Sequence, residues 1–153
     1  MEEGKAGGGG RSLTGLKERL ENDPFARHLG IRVVELGEGS AKLEMELGPQ
    51  MSNFMGSIHG GAIFALADHA FAAASNSHGI PAVALHLDIT YFSVPLPEST
   101  LLAEAHELHL TRRTGTYLIE ISSGEGKRVA SCQGIVHRKP REDGARHERP
   151  KER

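Results

Sequence analysis

From His59 to about Ser77 the residue spacing predicts one helix that carries seven alanines between Ala62 and Ala74, together with Ile63, Phe64, Leu66 and Phe71. Away from its ends it has little polar surface beyond Asp68 and His69. A helix this poor in polar side chains is buried on most sides, and its small residues let a sheet approach closely. Gly79-Ile80-Pro81 ends it. Everything that follows is strand-like: Ala82 to Val94, Leu101 to Arg112, Thr116 to Ser123 and Arg128 to Arg138. The separators Thr114-Gly115 and Gly124-Glu125-Gly126 are tight enough for antiparallel hairpins. Leu101, Ala103 and Ala105 share one face, whereas Leu108 and Leu110 fall on the other, so a bulge is expected near His106 and Glu107.

Two further strands precede the helix. Ile31 to Leu36 is strand-like, Gly37-Glu38-Gly39-Ser40 is a turn, and Ala41 to Leu47 alternates apolar and polar residues. A short helix is expected over Leu13 to Glu21, and Asp23-Pro24 reads as the cap and first residue of another that stops at Gly30. The fold class is therefore α+β, with a six-stranded, mostly antiparallel sheet wrapped around one long central helix. Such a sheet leaves an outer face and edges to cover, which points to a homo-oligomer. Residues 1–11 are Gly-rich and polar and are expected to be disordered, as is the charged stretch 139–153, which leaves an ordered domain over 12–138.

Composition narrows the function. A formal net charge of -2 gives no reason to expect nucleic acid. No apolar run approaches a membrane span and no secretory leader is apparent, so no membrane association is expected. The lone Cys132 cannot form an internal disulfide and fits a cytoplasmic location. Nine histidines invite a metal, but no pair has cysteine or carboxylate partners at ligand spacing, so no metal is expected. No Gly-x-Ser-x-Gly motif supports a serine nucleophile.

The chemistry concentrates in Asn53-Phe54-Met55-Gly56-Ser57-Ile58-His59-Gly60-Gly61, a polar, Gly-rich loop that opens the long helix. Backbone N–H groups at a helix start are free and favour negative charge. Asp68 stands two turns inside an apolar helix, which suits a general base or nucleophile. Helical rise places it roughly 10–12 Å from Gly60 and Gly61, too far for both to act on one atom. If they do act together, they come from two chains, with antiparallel helices side by side across a dimer interface. His59 reads as a hydrogen-bonding residue at the helix N-terminus, where the dipole favours a neutral imidazole. Asn53 reads as a turn residue whose side chain can cap local backbone.

The pattern Asn53…Gly56…His59-Gly60-Gly61…Phe64-Ala65-Leu66-Ala67-Asp68…Ala73…Asn76, with Pro81 to Leu85, Asp88 to Phe92 and Arg112-Arg113-Thr114, resembles the hotdog-fold acyl-CoA thioesterases of the PaaI (phenylacetate degradation) type. The likeness runs from about Pro24 to His137. It implies a hotdog fold and hydrolysis of an acyl-CoA thioester, with aromatic acyl groups of the phenylacetyl or hydroxyphenylacetyl kind favoured. It implies that Asp68 is general base or nucleophile, that the Gly60 N–H polarises the thioester oxygen, and that Asn53 and His59 orient substrate, water or the loop. It implies sites shared between subunits, dimers paired into tetramers, and no cofactor beyond the CoA of the substrate. Some relatives carry a water-positioning Ser where this chain has Ala84.

Gly61 belongs to the same candidate turn. Arg112 and Arg113 at a hairpin end are ordinarily solvated, and could instead contact CoA phosphates bidentately. Tyr91 and Phe92 are core or interface residues first, with a share in the acyl or pantetheine tunnel second. Alternatives are a broad short- or medium-chain acyl-CoA thioesterase, a hotdog dehydratase or hydratase (which this chain lacks a clear His–carboxylate pair to support), and a non-catalytic acyl-CoA-binding sensor.

Overall fold

The computed structural model of the chain describes residues 12–139. The expectations for 1–11 and for 140–153 lie outside the described residues. In chain order the elements are α1 (Leu13–Glu21), α2 (Pro24–Leu29), β1 (Arg32–Gly37), β2 (Ser40–Glu46), α3 (Gly60–Asn76), β3 (Ala82–Tyr91), β4 (Thr100–Leu110), β5 (Thr114–Ser123) and β6 (Arg128–Arg138). The caps follow the residues that supply them. The Ala26 N–H donates to Asp23 Oδ1 at 2.9 Å, Pro24 opens α2, and Gly30 closes it at φ 73°. That left-handed φ is open to glycine at little cost.

The six strands form one sheet in the order β1-β2-β4-β5-β6-β3, with every pairing antiparallel. This is the expected plan of a sheet against one long helix. β3 ends at Tyr91 rather than Val94, because the pairing with β6 runs out at Ala130. The β4 bulge sits at Leu108, between Glu107 and His109, one residue beyond the expected place. Glu107 therefore stays on the inner face opposite Tyr117, and the alternation flips only after it.

The core lies between the concave face and α3. Leu43, Met45, Leu101, Ala103, Ala105, Tyr117, Ile119 and Cys132 are buried on the sheet side, against Ile63, Leu66, Ala67, Ala70, Phe71 and Ala74 of the helix. Each fully buried Leu or Ile contributes roughly 1.5–3 kcal/mol. Small residues on both sides bring helix and sheet close. Asn76 sets the helix lengthwise: its Oδ1 accepts from the Ala82 N–H at 3.0 Å and its Nδ2 donates to the Ala82 carbonyl at 3.2 Å. The C-terminus of α3 is thus tied to the start of β3.

The helix is less enclosed than its composition suggests. Gly61, then Phe64 and Ala65, then Asp68 and Ala72 recur at helical spacing along one open stripe, and Asp68 is exposed on the isolated chain. Beside this lies β3, an edge strand of ten residues with Val83, Leu85 and Tyr91 exposed. Among the described residues, no helix is long and apolar enough to cross a membrane.

Candidate active site

The loop before α3 is pinned by its own polar groups. Asn53 Oδ1 accepts from the N–H groups of Met55 and Ser57 at 3.0 and 3.1 Å, and Gly56 turns the chain at φ 79°. Phe54 and Met55 at its tip are exposed, 96% and 70%. The His59 N–H donates to the Met51 carbonyl at 2.7 Å, which fixes where the helix begins. The carbonyl end of the Asn53 side chain is therefore spent on the loop, while its Nδ2 makes no hydrogen bond among the described residues.

His59 is the N-cap of α3, and its Nδ1 accepts from the Gly61 N–H at 2.8 Å. That bond occupies the Gly61 donor. The Gly60 N–H has no acceptor among the described residues, so of the two glycines it is the one with a donor to spare. Both glycines are needed for closeness. A Cβ on Gly60 would lie 3.2 Å from Tyr91 Oη, and one on Gly61 would lie 2.9 Å from His59 Nδ1.

Asp68 stands eight residues into the helix, roughly 12 Å along the axis from Gly60. It is exposed to solvent on the isolated chain, yet the apolar walls around it push its carboxyl above the ordinary value of 3.8, with His69 partly opposing. His69 forms no dyad with it, since its Nε2 lies 3.2 Å from the Leu20 carbonyl of α1. Cys132 is buried beneath. Burial, then the charges of Asp88 and Asp68, push its thiol up to about 12, so it stays protonated and unreactive.

Tyr91 ends β3 against the loop, and its O–H donates to the Gly60 carbonyl at 2.9 Å. Sequence reasoning had no local signal for this contact between residues 31 apart. Phe92 lies next to it, half-exposed, with the Arg128 guanidinium 5.1 Å from its ring centre. Arg112 and Arg113 are exposed at the β4–β5 hairpin, which is tied to Arg138: the Arg138 N–H donates to the Arg113 carbonyl at 2.8 Å. Arg138 pairs with Ala82 at the start of β3, nine residues from Tyr91. Within one chain these arginines are therefore about 30 Å from the Gly60 turn. Ala84 is exposed on the β3 edge. Among the described residues no three histidines, cysteines or carboxylates gather as a metal site.

A second polar cluster lies at the far end of α3. His78 Nε2 and the Tyr117 O–H both bond Glu107 Oε2, the latter at 2.8 Å. Burial alone would raise the Glu107 carboxyl, but these bonds, with charge from His78 and Arg138, hold it below its ordinary value.

The family model of the thioesterase superfamily matches residues 55–130. The acyl-coenzyme A thioesterase PaaI of Escherichia coli K12 is 42% identical over 118 residues, which span 77% of this chain and 84% of that one. The solved structure of the E. coli PaaI protein superposes with a TM-score of 0.78 at 39% identity, covering 84% of this chain and 97% of that chain. A variant of the phenylacetic acid degradation protein PaaI from Thermus thermophilus gives a TM-score of 0.74 at 44% identity, covering 76% and 100%. The Streptococcus mutans protein smu.793, solved with bound acetyl CoA, gives 0.69 at 26% identity, covering 71% and 88%. With its hotdog sheet, its central helix and these relatives, the chain belongs to the thioesterase superfamily and is of the PaaI type.

Proposed function

We propose that this protein hydrolyses acyl-CoA thioesters, aromatic acyl groups of the phenylacetyl or hydroxyphenylacetyl kind first, at sites that two copies of the chain share. The observation that carries the proposal is the placement of one free backbone donor and one raised carboxylate on the same helix. They are too far apart to act together within a chain, and both border an open apolar stripe beside the bare β3 edge. Two antiparallel copies of α3 would bring the Asp68 of each to the Gly60 turn of the other. They would also carry Arg112 and Arg113, remote from their own chain's turn, toward the partner's, where CoA phosphates could meet them. Pairing of dimers into tetramers is part of the same reading.

The chemistry then follows from the donors and the base. The carbonyl oxygen of the thioester accepts from the Gly60 N–H, and a fixed donor of this kind is worth a few kcal/mol as the oxyanion develops. Asp68, made more basic by its apolar walls, takes the proton of an attacking water or, as the carboxylate, attacks the carbonyl itself. The thiolate leaves without a strong general acid, and no cofactor or metal enters the scheme. The relatives with CoA in their names support the substrate class; the phenylacetate relatives support the aromatic acyl group.

The test is release of free CoA from aryl and alkyl acyl-CoAs, run on wild type and Asp68→Asn in parallel with size-exclusion chromatography. Turnover that favours arylacetyl-CoA and disappears in an Asp68→Asn protein of unchanged size is the expected result. Acyl-CoA binding with no turnover of any thioester would overturn the proposal in favour of a sensor. Single turnover in heavy-oxygen water bears on the two roles of Asp68: label in Asp68 means a covalent anhydride, and label in the product acid alone supports direct attack by water.

A further inference from the structure

Tyr91, Gly60, Gly61 and His59 form one connected chain of hydrogen bonds. The Tyr91 O–H donates to the Gly60 carbonyl at 2.9 Å. The amide that bears this carbonyl carries the Gly61 N–H at its other end, and that group donates to His59 Nδ1 at 2.8 Å. A backbone N–H can only donate, so His59 Nδ1 must present a lone pair and the ring proton must reside on Nε2. Hydrogen bonds in series through one amide polarise each other. A phenol pulling on the carbonyl makes the Gly61 N–H a stronger donor and so favours that tautomer further. Partial burial raises the Tyr91 phenol above its ordinary value, so it remains a donor.

The glycine pair fits this arrangement. At Gly60 an added Cβ would meet Tyr91 Oη at 3.2 Å and Cζ at 3.3 Å, and at Gly61 it would meet the His59 ring at 2.9 Å. Neither residue has a positive φ, so the absent Cβ serves the two close contacts and not the backbone conformation. His59 is exposed, which leaves its Nε2–H open one residue from the Gly60 N–H.

We propose that Tyr91 is a positioning residue: through the Gly60–Gly61 amide it holds His59 as the Nε2–H tautomer, which places a second donor next to the Gly60 N–H. The kinetic consequence rests on the thioesterase reading, because a second donor there would assist the developing oxyanion. The tautomer assignment stands without that reading.

The experiment compares wild type with Tyr91→Phe, which removes only the hydroxyl, in the intact oligomer. One measurement is the side-chain ¹⁵N spectrum of His59, assigned with a His59→Gln variant. The other is kcat and KM for phenylacetyl-CoA. The expected wild-type spectrum is that of an Nε2–H ring, and Tyr91→Phe should shift it toward a mixture of tautomers. Losing one hydrogen bond's polarisation should lower kcat about fivefold, with KM changed less than about twofold. Gly60→Ala, which crowds the tyrosine ring, should move the spectrum in the same direction. An Nδ1–H ring in wild type, an unchanged His59 spectrum in Tyr91→Phe, or an unchanged kcat overturns the proposal. If wild type hydrolyses no thioester, the functional reading fails and the ¹⁵N spectra still decide the tautomer.

Discussion

At Gly134 the Phe71 ring of the helix lies close against the sheet, and replacing the glycine with alanine tests how tightly the two are packed. It pairs with Leu87 on β3 and with Tyr117 on β5. A Cβ there would lie 2.7 Å from Phe71 Cζ, 2.8 Å from Phe71 Cε2 and 2.8 Å from Leu87 Cδ1. The Phe71 ring cannot simply swing aside. It is buried and stands edge-on to Tyr117, ring centres 5.8 Å apart at 65°. Either the ring leaves its rotamer or the helix lifts, and overpacking of this kind costs about 1–3 kcal/mol. Alanine returns about 0.5–1 kcal/mol, because glycine in a strand loses more chain entropy on folding. The net expectation is a loss of about 1–2 kcal/mol. For a chain of this size that lowers Tm by about 2–8 °C in thermal unfolding at fixed protein concentration. Phe71→Leu in the same background should recover part of the loss, a coupling that a double-mutant cycle reads directly. An unchanged or higher Tm for Gly134→Ala would refute the packing argument, since it would mean that helix and sheet have slack at this point.

Asp68→Asn should stabilise the fold while abolishing activity. A raised native-state value means that folded Asp68 holds its proton more tightly than unfolded Asp68, so wild-type stability is lost relative to the variant as pH rises from 3.8 through the native value. Paired melting curves from about pH 4 to about pH 7 check the sign, and turnover should rise over the same window as the base ionises. Glu107 behaves oppositely. Its lowered value supplies stability above 4.5 that is lost as pH falls, so Glu107→Gln should flatten the acid limb of a denaturation profile and cost about 1–3 kcal/mol at neutral pH. Leu85→Lys places a charge at an exposed, irregular position of the β3 edge. It should give a smaller species in size-exclusion chromatography, with an unchanged circular dichroism spectrum and little thioesterase activity.

The parts of the fold that could be read from residue order alone are those whose signal is local. The alanine run announces α3, alternation announces β2 and β4, and Asp23-Pro24 with Gly30 brackets α2 to the residue. The β4 bulge was detectable as a phase slip, but residue order placed it near His106 and Glu107, one residue early. Either side of Leu108 satisfies the pattern, and only the need of His78 and Tyr117 for the inward Glu107 decides between them. The site divides the same way. Spacing along one helix separates Asp68 from Gly60, and the loop polarity marks Asn53 and His59. The hold of Tyr91 on Gly60 was illegible because the two meet only once β3 has paired with β6. The open stripe on α3 was hidden for another reason. Composition reports how apolar a helix is, whereas a second copy and a core both ask for apolar residues.

The uncovered β3 edge has a consequence for enzymology. On the shared-site reading a lone chain carries a base without a donor and a donor without a base, so the catalyst is a pair that exists only in proportion to how often two chains meet. Specific activity then depends on how dilute the assay is. Well below the dissociation constant of the pair, the rate should fall with the square of the chain concentration, and substrate that bridges both subunits should pull the chains back together.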